Sequence, residues 1–212
     1  MKRVLSAVLA AATIISTSSV AFAEDNVSKS VYGGPRCDKG VKLGNKHCVP
    51  FDVPDNSPVS SSIVHLVQAG LMVGYEDGSF RPDNPLNMAE AATVLLRLLG
   101  MPPKEDTADW AAAAIADAAK LGLVPVDTQA DAPLTRLKVA IVLAKALKLK
   151  PSTDALPFTD LSGLSDEEKG LLAALVKAGI FSADAGKEFG PDTTITRGEM
   201  ASIIERVLAK YK

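Results

Sequence analysis

Two arginines, Arg136 and Arg197, each follow a threonine where an apolar helical pattern begins, in Leu134-Thr135-Arg136 and Ile195-Thr196-Arg197. A helix start presents backbone N–H groups and a partial positive charge, and a guanidinium fork in its first turn matches a planar carboxylate bidentately. The chemistry on offer is anion binding. Thr196 stands three residues before Glu199, and Asn87 three before Glu90, the spacing of a reciprocal capping box. Met88 takes the place of the arginine after Asn87, so that start lacks its cation. Upstream of it, Tyr75, Asp77 and Gly78 supply a hydroxyl, a carboxylate and turn amides that can bond sugar hydroxyls, although Asp-Gly is equally an ordinary turn sequence. Phe80 is expected to plug the core. Trp110, the single tryptophan, can stack on a sugar ring or pack between helices.

Catalytic constellations are missing from the sequence. There is no Gly-x-Ser-x-Gly elbow and no His-Glu-x-x-His, and His47 and His65 sit in unlike contexts. The spacing of Glu76, Asp77 and Asp83 does not match an EF-hand loop. The chain is read as non-enzymatic, with no cofactor and no metal.

The elements that must position the arginines repeat along the chain. Ile63, Leu66, Val67, Gly70 and Leu71 return as Ile115, Ala118, Ala119, Gly122 and Leu123, and again as Leu172, Leu175, Val176, Gly179 and Ile180. Ala91, Val94, Leu95, Leu98 and Leu99 return as Val139, Val142, Leu143, Ala146 and Leu147, and as Met200, Ile203, Ile204, Val207 and Leu208. Both sets follow one helical face. The offset to the middle copy falls from 52 in the first helix to 48 in the second, so the middle loop is four residues shorter. The architecture this predicts is all-α, with three helix-loop-helix repeats.

Residues 1–23 have the form of a secretory signal peptide: Lys2 and Arg3, an apolar run from Val4 to Ile15, and Ala21-Phe22-Ala23 before Glu24. The run is shorter than the roughly 20 residues of a membrane span, and no membrane insertion is expected after cleavage. The formal net charge of −2 becomes more negative without Lys2 and Arg3, which argues against nucleic acid as a partner. In an exported chain Cys37 and Cys48 are expected to form one disulfide, pinning an extended leader over residues 24–50. A metal site of Cys37, His47 and Cys48 is the competing reading, but its ligand spacing does not fit structural zinc.

The stretch GYEDGSFRPDNPLNMAE at 74–90 resembles the signature of S-layer homology modules, a Gly-Tyr-x-Asp-Gly-x-Phe-x-Pro loop leading into a Thr-Arg-Ala-Glu helix start. FGPDTTITRGEM at 189–200 aligns Phe189, Pro191, Asp192 and Glu199 with Phe80, Pro82, Asp83 and Glu90, while the middle repeat keeps only PLTRLKVA at 133–140. FDVP at 51–54, FTDL at 158–161 and DWAAAAI at 109–115 resemble the lead-ins of such modules. The resemblance implies three repeats, at 51–101, 102–150 (degenerate) and 151–212, packed as a pseudo-threefold bundle with ligand grooves between neighbours. It implies attachment to an acidic cell-wall polymer, secondary polysaccharide or peptidoglycan, often carrying pyruvyl groups. Arg136, Arg197, Tyr75, Asp77, Gly78 and Trp110 would then contact the polymer, and the protein would act at the cell wall, the cell surface or in the periplasm. Two alternatives stay open: an exported module that binds an envelope protein, and an unrecognised cell-wall hydrolase.

Overall fold

The computed structural model describes residues 49–53, 57, 59–75, 77–103, 109–182 and 187–211. Cys37, Cys48 and the disulfide expected of them lie outside the described residues, as do the signal segment and nearly all of the leader. Among the described residues there are six helices: α1 (Ser60–Gln68), α2 (Met88–Leu98), α3 (Trp110–Lys120), α4 (Arg136–Ala146), α5 (Asp166–Lys177) and α6 (Arg197–Tyr211). Their only β-structure is a set of isolated bridges. The fold is all-α, as the periodicity predicts.

Local chemistry sets the helix limits. At α2 the Asn87 side chain accepts the Glu90 N–H (2.9 Å) while Glu90 accepts the Asn87 N–H (3.1 Å), the expected capping box. Ser165 and Glu168 form a second box at α5, and Thr135 Oγ1 accepts the Lys138 N–H (3.3 Å) at α4. After α3 and α5 the backbone turns left-handed at Gly122 (φ 70°) and Gly179 (φ 76°), where a residue without Cβ carries no steric cost. After α4 the same turn falls on Lys148 (φ 53°), which has no such freedom.

The chain divides into two compact units. The first comprises the described residues up to Asn84 together with Arg197–Glu205 of α6. Its buried side chains include Ile63, Leu66, Met72 and Phe80, with Met200, Ala201 and Ile204 from α6. His65 Nδ1 meets Glu205 Oε2 at 2.8 Å, which gives this histidine a structural partner. Each Ile, Leu, Met or Phe side chain fully withdrawn from water contributes roughly 1.5–3 kcal/mol, so these residues hold the unit together.

The second unit runs from Pro85 to Thr196 and adds the end of α6. In it α2 packs on α3 and α4 packs on α5, so the first helix of one repeat lies against the second helix of the repeat before it. Buried Ala114 and Ala118 on α3 allow a close approach. Three residues at equivalent repeat positions close a ring of backbone hydrogen bonds. The Leu86 N–H donates to the Ile195 carbonyl (2.9 Å), the Ile195 N–H to Leu134 (3.0 Å) and the Leu134 N–H to Leu86 (3.3 Å). Bridges between Asn87 and Pro133, Thr135 and Thr194, and Pro85 and Thr196 follow the same cyclic order. Leu86, Leu134 and Ile195 are each 1% exposed, so this pseudo-threefold ring forms out of contact with solvent.

Candidate functional site

Each copy begins its second helix in the same way, with two backbone N–H groups bonded to a loop of the next copy. In the first unit the Arg197 N–H donates to Asn84 O (3.0 Å) and the Gly198 N–H to Pro82 O (2.8 Å). In the second unit the Arg136 N–H donates to Thr193 O (2.9 Å) and Leu137 to Pro191 O (3.1 Å), while Met88 donates to Ala132 O (3.1 Å) and Ala89 to Ala130 O (2.9 Å). These are the orphan donors of a helix start. The expectation that they face an anion is corrected: neighbouring carbonyls already satisfy them. Gly198 makes the approach to its carbonyl possible, since a Cβ there would stand 3.2 Å from Pro82 O.

The side chain of Arg197 follows its backbone into the first loop. Nε donates to Phe80 O (2.8 Å) and Nη2 to Val73 O (2.6 Å), with the guanidinium carbon 4.6 Å from the Phe80 ring centroid and 4.9 Å from that of Tyr75. The residue is 6% exposed. Sequence position suggests a surface arginine. The structure gives instead a buried cation that ties the loop to α6.

Above it, the loop is a network of short bonds. The Gly78 N–H donates to Tyr75 O (3.0 Å), and a φ of 84° at Gly78 turns the chain so that the Tyr75 N–H reaches Ser79 O (2.7 Å). Asp77 accepts from the Ser79 hydroxyl, from the Ser79 N–H (3.0 Å) and from Arg81 Nη2 (2.8 Å). The Ser79 donors and then Arg81 hold its carboxyl well below the usual carboxylate range. Arg81 also donates from Nε to Ser79 Oγ (3.0 Å) and lies 4.0 Å from the Tyr75 ring centroid. Tyr75, Asp77, Gly78 and Arg197 are thus gathered in one place, and Phe80 is buried beneath them. The side chains of Arg81 and Asp77 remain open to solvent, at 44% and 52%.

Sequence reading missed three contributors. Asp52 accepts the N–H groups of Phe80 (2.7 Å) and Arg81 (2.6 Å), and Asp160 accepts those of Phe189 (2.8 Å) and Gly190 (2.7 Å). Burial pulls the Asp160 carboxyl upward, but the bonds from Phe189 and Gly190 win and hold it below its ordinary value. The available signal was that both aspartates precede the bonded phenylalanine by 28 or 29 residues. Arg81 is the third: at φ 55° it occupies the left-handed position that Gly190 fills in the last repeat at φ 71°. A non-glycine residue in that region is locally strained, and such strain gathers at functional sites.

The second unit contains the companion arrangement. The half-buried Arg136 has its guanidinium carbon 5.6 Å from the Phe189 ring centroid and 5.8 Å from that of Phe181. Phe158 and Phe181 flank Phe189, with ring centroids 5.4 and 5.8 Å away. An open cleft of about 530 Å³ lies beside this aromatic layer, lined by Phe158, Ser152, Thr159, Ser162 and Lys169 among others. Trp110 opens α3 in the same unit and is exposed. Among the described residues no cluster of three or more histidines, cysteines or acidic residues could hold a metal ion. No helix there is long and apolar enough to cross a membrane.

The sequence model of the S-layer homology domain matches residues 52–92 and 157–201. Among similar proteins, an S-layer protein of Bacillus licheniformis is 30% identical over 175 residues, covering 76% of this chain and 20% of the relative. The S-layer protein sap of Bacillus anthracis is 30% identical over 168 residues, or 73% of this chain and 20% of its own. The exoglucanase XynX of Acetivibrio thermocellus is 28% identical over 184 residues, or 78% of this chain and 17% of the enzyme. The chain therefore spans about a fifth of the length of these relatives. The matched segments contain both aspartate clamps, both buried loop phenylalanines and Arg197, and through them the chain belongs to the S-layer homology domain family.

Proposed function

We propose that this chain is a non-catalytic attachment module that works at the cell surface, binding an acidic wall polymer, secondary polysaccharide or peptidoglycan, without a covalent bond. The polymer lies over the described loop residues 77–84 and 187–193, within repeats bounded at 51–101, 102–150 and 151–212. The observation that carries this reading is the first loop. There an exposed guanidinium stands over an aromatic ring beside an ionised carboxylate. Such a set matches a sugar that bears a carboxylate: Arg81 takes the anion, Asp77 accepts from hydroxyls, and Tyr75 backs the Arg81 guanidinium with its ring while its own hydroxyl bonds the sugar. Arg197 acts from below as a positioning residue, while Arg136, half-buried, also reaches polymer, and Trp110 adds a stacking face in the second unit.

The relatives support attachment rather than turnover. The exoglucanase shares with this chain only 17% of its own length, in keeping with a module separable from catalysis. A protein partner is the second reading, favoured by the exposed Leu121 and by Val126, 88% exposed, around the shortened middle loop. Co-sedimentation with protein-free sacculi separates the two. The mature chain is expected to pellet with the sacculi and to release no soluble fragment from them; a chain that stays in the supernatant at every wall concentration refutes attachment.

A further inference from the structure

We propose that the chain carries two polymer sites, one in each unit, and that Met88 and the short middle loop are the two halves of a single lost third site. The inference rests on the attachment reading above. Taken along the sequence, the missing arginine belongs to the first repeat and the missing loop residues to the second, so each defect would spoil a different repeat and only the third would be whole. The hydrogen bonds pair them otherwise. Met88 and Ala89 donate to Ala132 and Ala130, so the helix start without a cation is the one seated on the short loop.

The same two bonds tie Arg197 and Gly198 to Asn84 and Pro82, and Arg136 and Leu137 to Thr193 and Pro191. Each surviving arginine is therefore seated on a full-length loop. Under both loops the guanidinium meets a phenylalanine, Phe80 for Arg197 and Phe189 for Arg136. The middle loop has no aromatic residue between Leu121 and Pro133, and Thr128 stands where Phe80 and Phe189 do. Its hydroxyl turns back to the Pro125 carbonyl (2.7 Å), closing the loop on itself. Cation and aromatic floor form one interaction. With the ring gone, an arginine at position 88 has nothing to stack on, and Met88, 7% exposed, fills the space as a flexible apolar side chain.

The count of sites is the test. Wall-polymer fragments, released from protein-free sacculi and sized to a few repeating units, are titrated calorimetrically into the mature chain. Two equivalents per chain are expected. Arg81→Ala and Arg136→Ala should each remove one equivalent, Met88→Ala none, and Met88→Arg should add none; circular dichroism confirms that each variant is folded. One or three equivalents for the parent chain, or a third gained by Met88→Arg, would overturn the proposal while leaving attachment intact. No binding by the parent chain at all would overturn both.

Discussion

Replacing Arg197 with alanine tests whether this side chain holds the first loop. Among its bonds the guanidinium donates to a buried carbonyl at Phe80 and to a partly buried one at Val73. Bonds to charged groups are worth about 1.5–3 kcal/mol, and the partly wet one belongs at or below the low end. Contact with the Phe80 and Tyr75 rings adds about 1 kcal/mol. Against this, truncation relieves the cost of keeping a cation out of water, which is several kcal/mol for a lone buried ion and less for one so fully bonded. The balance is a loss of about 3 kcal/mol. In a chain of this length 1 kcal/mol moves Tm by about 2–4 °C, so a fall of roughly 6–12 °C is expected in thermal unfolding followed by helical ellipticity. Arg197→Lys should recover only part of it, because an ammonium cannot reach two carbonyls with the geometry of a planar fork. A loss below about 0.5 kcal/mol for Arg197→Ala, the range of ordinary surface changes, would refute this account.

Arg81→Gly should leave Tm within a few degrees of the parent, as relief of the left-handed backbone offsets a lost surface ion pair, but lower wall affinity about tenfold, read by sedimentation with sacculi. Equal loss of affinity and fold would show that Arg81 only shapes the loop. Lys148→Gly should stabilise by up to about 1 kcal/mol in urea denaturation, since it removes a Cβ from a left-handed helix end; a loss would contradict the strain assigned there. Asp160 has a depressed folded-state carboxyl, so its clamp is fully present above the unfolded value near 3.9 and is lost as pH falls through the lower folded value. The urea midpoint of Asp160→Asn should accordingly fall less than the parent's between about pH 5 and pH 2, and parallel curves would remove Asp160 from the acid response.

The helices were legible because their signals are local. Apolar spacing, the Asn87–Glu90 box and the glycines after α3 and α5 all lie within one or two turns, and each appears where the spacing puts it. What joins the repeats was not legible, because it depends on partners far apart in sequence. Arg197 bonds Phe80 and Val73 across separations of 117 and 124 residues, and nothing around Arg197 indicates that its guanidinium is buried. The same distance hid the pairing of Met88 with the middle loop. Arg81 was overlooked for the opposite reason: as the charged residue of a polar loop it reads as solvated surface, and only its φ marks it out.

The ring of Leu86, Leu134 and Ile195 bears on how the chain acquires its fold. Its bonds join residues 48, 61 and 109 positions apart, so unlike the helix bonds they wait for distant repeats, and the two that involve Ile195 cannot form until the third repeat has been made. Helical domains usually fold fast because their contacts are local; here three short hydrogen bonds impose long-range loop closure on an otherwise local topology. A chain arrested before Ile195 keeps the Leu134-to-Leu86 bond but leaves the Leu86 N–H and the Leu134 carbonyl without their partner, two exposed ends that a second molecule could satisfy by lending its own third repeat. Exchange of repeats between copies is thus the error this architecture invites, and the short middle loop, which brings Leu134 back to Leu86 over the least chain, limits the time in which it can occur.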